Sequence, residues 1–97
     1  MLSKKEILKT LTNLKKILKD KYKVKELGLF GSYASETHKD ISDIDLLVEF
    51  GEDADLFDFI GLSLFLEEKF RCKVDVVPIN ALREELKDSI LKTVIYS

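Results

Sequence analysis

Two short clusters of residues in this chain have the side chains and the spacing that suit phosphate and metal chemistry. Gly31-Ser32 directly follows an apolar run, and after the ten residues 33–42 the pair Asp43 and Asp45 opens another. A later acid, Asp75, interrupts a third apolar run. Glycine lets the backbone approach a phosphate closely and a serine hydroxyl adds a hydrogen bond, whereas carboxylates are ligands for hard divalent cations. The residue types therefore predict a site for a phosphate-bearing ligand and a metal ion.

The apolar runs that carry these residues have the composition of β-strands. Three strands are predicted: Lys23–Phe30, Asp43–Phe50 and Cys72–Pro78. The unbroken apolar centre of the second strand predicts burial on both faces of a sheet. Because side chains alternate along a strand, Asp43 and Asp45 point to the same face. If the second and third strands are neighbours, Asp75 lies beside that pair.

Three carboxylates on one patch repel one another and raise each other's pKa values unless a cation holds them. Burying an unpaired carboxylate costs several kcal/mol, so a partner must offset that cost. Mg²⁺ is the predicted cation, since it prefers oxygen ligands and leaves positions open for phosphate oxygens.

Helical patterns separate the strands. Four helices are predicted: Ser3–Asp20, a short helix beginning at Tyr33, Asp55–Phe70, and a final helix that Asn80 caps. The order α-β-α-β-α-β-α predicts an α/β (α+β) fold with a small mixed sheet flanked by helices. We expect one domain over residues 1–97, because this length supports a single hydrophobic core.

Composition argues against several classes of function. Charged residues form 35% of the chain but sum to a net charge of -2, so no basic field favours nucleic acid as a partner. The single cysteine excludes an internal disulfide, and no apolar run approaches the roughly 20 residues of a membrane helix. The first residues also lack the apolar segment of a secretory signal. These features predict a reduced, cytoplasmic protein.

The whole set of motifs resembles a known family. The stretch GSYASETHKDISDIDLLVEF, residues 31–50, matches the Gly-Ser, ten residues, Asp-x-Asp signature of the DNA polymerase β-like nucleotidyltransferases, and KVDVV matches their third acid. Length and layout are similar to those of the minimal nucleotidyltransferases (MNT), over essentially the whole chain. The resemblance implies a nucleotidyltransferase fold with Asp43, Asp45 and Asp75 as catalytic and metal-binding residues, and with Gly31 and Ser32 as nucleotide-binding residues.

The resemblance also implies cofactors and a partner. Such enzymes use two Mg²⁺ ions and take ATP as the nucleotide donor. Minimal nucleotidyltransferases often act as antitoxins beside a HEPN-domain ribonuclease toxin, and some transfer AMP from ATP to a tyrosine of that toxin. We therefore expect an adenylyltransferase with a protein partner.

One departure from the family pattern keeps other functions open. Family members commonly read Gly-Ser-x-Ala-Arg-Gly, whereas this chain has Ser35 and Glu36 in place of Arg-Gly, with Lys39 as a nearby substitute cation. Loss of a phosphate-binding arginine favours a second hypothesis, a steric antitoxin with a weak active site. Transfer of a nucleotide to a small molecule is a third hypothesis.

Other chemically capable residues have simpler interpretations. His38 is expected in an exposed loop, Cys72 as a small buried hydrophobe, and the acids around Asp55 as helix caps. The third helix carries more apolar residues than one stripe requires: Phe57, Ile60, Leu64 and Phe65. These residues either pack under a terminal helix or form an exposed patch for a protein partner.

Overall fold

The computed structural model describes residues 3–34 and 43–96. In chain order the elements are α1 (Lys4–Tyr22), β1 (Val24–Phe30), α2 (Gly31–Ala34), β2 (Ile44–Phe50), α3 (Leu56–Phe70), β3 (Val74–Pro78), a 3₁₀ turn (Ile79–Ala81), α4 (Glu84–Thr93) and β4 (Ile95–Tyr96). The predicted mixture of helices and strands is confirmed. Within these ranges no helix is both long enough and apolar enough to cross a membrane.

The four strands form one mixed sheet in the order β3-β2-β1-β4. Strand β1 pairs antiparallel with β2 and with β4, whereas β2 and β3 run parallel. The parallel pair requires a crossover, which α3 supplies. At Gly28, opposite Tyr96, a Cβ would lie 2.5 Å from Val94 Cγ2, so a glycine is needed for β4 to approach β1 this closely.

The two faces of the sheet differ in chemistry. One face packs against α1 and α3 in a continuous apolar core, which includes Ile44, Leu46 and Val48 of β2. The alternate residues of β2, including Asp45 and Leu47, belong to the other face. Leu47 is 1% exposed although it lies outside the core cluster, so both faces of β2 are covered at its centre as predicted.

Helix α1 extends further than its apolar spacing predicted. It continues to Tyr22 instead of ending at Asp20, and Lys23 then adopts a left-handed conformation that caps the helix. The ring of Tyr22 packs 5.4 Å from that of Phe65, and a Cβ on Gly61 would lie 2.9 Å from it. Tertiary packing of Tyr22 therefore favours the two additional residues of α1.

The chain after β3 departs from the prediction. Asn80 was predicted to cap the final helix, but it lies within the 3₁₀ turn, and α4 begins only at Glu84 with Arg83 as its N-cap. Extended backbone at Leu82 and Arg83 interrupts the helical path. Strand β4 was not predicted because two residues are too few to show an alternating pattern.

The additional apolar residues of α3 are mostly exposed. Phe57 is 82% exposed, Leu64 61% and Ile60 44%, whereas Phe65 packs on Tyr22. The terminal helices therefore do not cover this surface, and of the two interpretations only the exposed patch fits these three residues. Exposed apolar patches are typical of protein-binding surfaces.

Truncating a leucine on each surface distinguishes core from patch. We expect Leu46→Ala, at a fully buried position, to lower the free energy of unfolding by about 2–5 kcal/mol because it leaves a cavity. The matched control Leu64→Ala should change the free energy of unfolding by less than about 0.5 kcal/mol. Urea unfolding monitored by circular dichroism measures both, and equal losses would contradict the assignment of Leu64 to the surface.

Candidate active site

Two of the predicted acids face each other on neighbouring strands. In the parallel ladder Asp45 of β2 is directly opposite Asp75 of β3, so both side chains lie on the sheet face away from the core. Burial, the charges of Asp75 and Asp43, and a hydrogen bond that the protonated carboxyl donates to Asp75 all raise the pKa of Asp45. Ionisation of Asp45 in the folded protein therefore costs free energy.

The third acid, Asp43, lies at the rim of this pair. It directly precedes β2, its side chain is 41% exposed, and its Oδ2 lies 3.9 Å from Nζ of Lys73. Its charge is close enough to contribute to the raised pKa of Asp45. Among the residues that the structure describes, no group of three histidine, cysteine or acidic side chains converges into a preformed metal cluster. The arrangement is thus a contacting pair with a third carboxylate beside it.

The turn from β1 to α2 brings Gly31 against the acid pair. Gly31 has a φ of 76°, a left-handed conformation that favours glycine, and it follows Phe30, the partner of Asp45 in the sheet. A Cβ at Gly31 would collide with Oδ2 of Asp45 and lie 3.0 Å from its Cγ. Only a residue without a side chain allows this contact. Ser32 follows, half-buried, in α2.

Two neighbours of the acids were not predicted to be close. The register of β2 and β3 brings Lys73 beside Asp43: the carbonyl of Lys73 accepts a hydrogen bond from Ile44 N at 3.1 Å, and Lys73 Nζ lies 3.9 Å from Asp43 Oδ2. Cys72 was expected to be a buried residue within β3, but it is half-buried and precedes the strand. Burial and the charges of Asp43 and Glu67 raise the pKa of its thiol. The sequence signal for the proximity of Lys73 and Cys72 to the acids was that both closely precede Asp75.

Several residues named from the sequence lie outside the described ranges: Ser35, Glu36, His38 and Lys39. The interpretations given for them remain predictions. The capping role of Asp55 is confirmed, since its Oδ1 accepts a hydrogen bond from Asp58 N while Asp58 Oδ2 accepts one from Asp55 N, both at 3.0 Å.

Comparison with known proteins identifies the family. The model of the nucleotidyltransferase domain matches residues 11–97. The chain belongs to this family of nucleotidyltransferases. It is 38% identical to the protein adenylyltransferase MntA of Thermococcus cleftensis over 96 residues, which span 99% of this chain and 97% of MntA. The predicted enzyme class and the resemblance to minimal nucleotidyltransferases are confirmed.

Solved structures agree with this assignment. A structure described as a minimal nucleotidyltransferase superposes with a TM-score of 0.76 at 31% identity, covering 91% of this chain and 93% of that one. The fold also matches that of a Shewanella oneidensis complex between a tri-AMPylated HEPN toxin and an MNT antitoxin, with a TM-score of 0.68, 19% identity, and coverage of 96% of this chain and 70% of that one. The predicted nucleotidyltransferase fold is therefore confirmed.

The side chains of the candidate site suit a divalent cation. Burial and the like charges of Asp75 and Asp43 raise the pKa of Asp45, and a bound cation would relieve the repulsion. All candidate ligands are carboxylate oxygens, the donor type that Mg²⁺ prefers. The residues present therefore fit the metal that the resemblance implies.

Removing the charge of Asp45 should stabilise the metal-free protein. Because the pKa of Asp45 is raised in the folded state, its ionisation destabilises the fold as pH rises through the interval above its ordinary value of 3.8. At pH 7 with EDTA we expect Asp45→Asn to raise the melting temperature by a few degrees. The gain should shrink on acidification and vanish once Asp45 is protonated in both states.

Thermal unfolding followed by circular dichroism between pH 3.5 and pH 8 measures this difference. The matched control Asp20→Asn removes an exposed acid on α1 and should shift the melting temperature little at any pH. A melting temperature of Asp45→Asn at or below that of the wild type at pH 7 would contradict a raised pKa of Asp45 in the folded state.

Proposed function

We propose that this nucleotidyltransferase transfers AMP from ATP to a hydroxyl in a Mg²⁺-dependent reaction. The observation that carries the proposal is the Asp45–Asp75 pair, which contacts a left-handed glycine at a strand-to-helix turn. Nucleotidyl transfer requires two elements: carboxylates that bind a metal ion, and a backbone turn that phosphates can approach closely. Similarity to the adenylyltransferase MntA over nearly the full length supports the same reaction class.

The nucleotide would bind with its outer phosphates at the β1–α2 turn. Gly31 has no side chain to hinder a phosphate, and the hydroxyl of Ser32 would donate a hydrogen bond to it. Gly31 lies so close to the Asp45 carboxylate that a Cβ on it would collide with Oδ2. A nucleotide whose outer phosphates are bound at this turn would therefore have its α-phosphorus over Asp45 and Asp75. Positioning of this kind leaves the α-phosphorus open to in-line attack.

Three carboxylates would hold the metal: Asp43, Asp45 and Asp75. Bound Mg²⁺ would neutralise charge on the phosphates and lower the pKa of the attacking hydroxyl. Asp75 would accept the proton of that hydroxyl. The hydroxyl oxygen forms a bond to the α-phosphorus, the bond from that phosphorus to the bridging oxygen breaks, and pyrophosphate leaves with the electron pair.

The proposed acceptor is a tyrosine of a HEPN-domain toxin, and the proposed role is that of an antitoxin acting in the cytoplasm. The fold is shared with the MNT antitoxin bound to an AMPylated HEPN toxin. Phe57, Ile60 and Leu64 expose an apolar surface typical of proteins with a partner. The free thiol of Cys72 is compatible with a reducing compartment.

Substitution of the acids tests the chemistry. With labelled ATP, Mg²⁺ and a co-purified HEPN protein, we expect Asp43→Asn and Asp75→Asn each to reduce AMP transfer at least about a hundredfold, because each removes a metal ligand or the proton acceptor. Asp20→Asn, on the opposite side of the sheet, should transfer AMP at the wild-type rate. Equal labelling by all four proteins would overturn the assignment of these acids, and wild-type transfer in EDTA would overturn the metal requirement.

Intact-mass spectrometry tests the acceptor. After incubation with ATP and Mg²⁺, the HEPN partner should gain the mass of at least one AMP, and replacing its modified tyrosine with phenylalanine should abolish that gain. A stable complex whose partner is inactive but unchanged in mass would instead establish steric neutralisation. Transfer to a small molecule without any protein labelling would contradict a protein acceptor.

A further inference from the structure

A cavity lies on the same sheet face as the acid pair. It measures about 290 Å³ and is lined by Glu26, Leu47, Glu49, Ile79 and Tyr96. Asp45, Leu47 and Glu49 alternate along β2, so they point to one side of the sheet. The rise along a strand places Glu49 roughly 13 Å from Asp45, between Cα atoms. The cavity is therefore an extension of the active-site surface.

Two carboxylates stand opposite each other in this cavity. Glu26 of β1 pairs with Glu49 of β2 across the antiparallel ladder, immediately after the irregularity between Val24 and Glu26. Like charges directly opposite each other on a sheet are destabilising. Lys25 lies 3.9 Å from Glu49, but both side chains are substantially exposed, so this pair offsets little of the repulsion. The position favours a positively charged ligand.

The remaining walls are apolar or aromatic. Leu47 is almost fully buried and forms the base, with Ile79 of the 3₁₀ turn beside it. Tyr96 is 50% exposed and leans over Gly28, where a Cβ would lie 3.3 Å from its ring. An exposed aromatic ring beside carboxylates is a good surface for a guanidinium, which stacks on the ring while it donates hydrogen bonds to the acids.

We propose that this cavity binds an arginine side chain of the acceptor protein and so directs the neighbouring acceptor hydroxyl to Asp45 and Asp75. The proposal rests on the proposed transfer to a protein. Arginine fits better than lysine because its planar group can engage Glu26 and Glu49 together and stack on Tyr96. The phosphates of ATP are excluded from this position by the same two carboxylates. The arginine would lie within a few residues of the hydroxyl in an extended segment.

Peptide binding tests the proposal without requiring catalysis. The probe is a capped peptide, Gly-Arg-Gly-Gly-Tyr-Gly, and its control carries citrulline, which has the shape of arginine without the charge. Titrated into the isotope-labelled full chain, the arginine peptide should cause saturable NMR shifts at Gly28, Leu47 and Tyr96. The citrulline peptide should bind at least about tenfold more weakly, the loss expected for one charge-assisted hydrogen bond.

Matched variants locate the binding site. Glu26→Gln/Glu49→Gln should weaken binding of the arginine peptide roughly tenfold, and Tyr96→Ala should weaken it while Tyr96→Phe retains it. The control Asp20→Asn/Glu68→Gln removes the same charge from exposed helix positions and should bind like the wild type. No saturable shifts in the wild type, or equal affinity for both peptides or for both double variants, would overturn the proposal.

ATP binding in the same samples separates the two proposals. Glu26→Gln/Glu49→Gln should bind Mg²⁺-ATP as the wild type does, because these residues lie away from the phosphate turn. Failure of the wild type to bind Mg²⁺-ATP would overturn the proposed transfer and leave the peptide result standing. Loss of the peptide effect with intact ATP binding would overturn only the arginine cavity.

Discussion

The matched parallel register of β2 and β3 is the constraint on which the candidate site depends. Two carboxylates become direct neighbours only because β2 and β3 run parallel in matched register. That register needs the α3 crossover, whose buried residues Leu62 and Leu66 join it to the core. Apolar burial elsewhere in the fold therefore offsets the repulsion between the carboxylates of Asp45 and Asp75. A bound cation would relieve that repulsion.

The residues of the apolar core and the acidic residues of the candidate site lie on opposite faces of the sheet. Its helix-covered face is apolar and supplies the core, whereas the opposite face carries Asp45, Asp75, Glu26 and Glu49. Strand β2 serves both purposes because its side chains alternate between the faces. A substitution at Leu46 is thus expected to act mainly on stability, whereas Asp45 and Glu49, four residues apart on the other face, belong to the proposed active site and the proposed arginine cavity.

Local chemistry made much of the site predictable. The motif around Gly31, and the two acids that open β2, are close in sequence, and strand alternation relates Asp45 to Leu47 without knowledge of the fold. The positions of Lys73 and of Tyr96 were not predictable in this way, because each reaches its neighbours through strand pairing. Asn80 is not the cap of the final helix because extended backbone at Leu82 and Arg83 separates the 3₁₀ turn from α4.

The sequence by itself determined the residue types of the candidate site, the family to which they belong and the approximate positions of the main helices and strands, because these follow from local patterns of side chains. Only the tertiary structure decided that Asp43 lies at the rim of the Asp45–Asp75 pair, that the additional apolar residues of α3 are mostly exposed and that Glu26 stands opposite Glu49. Each of these depends on the register and packing of segments distant in sequence, and such long-range contacts have no local pattern from which they can be read.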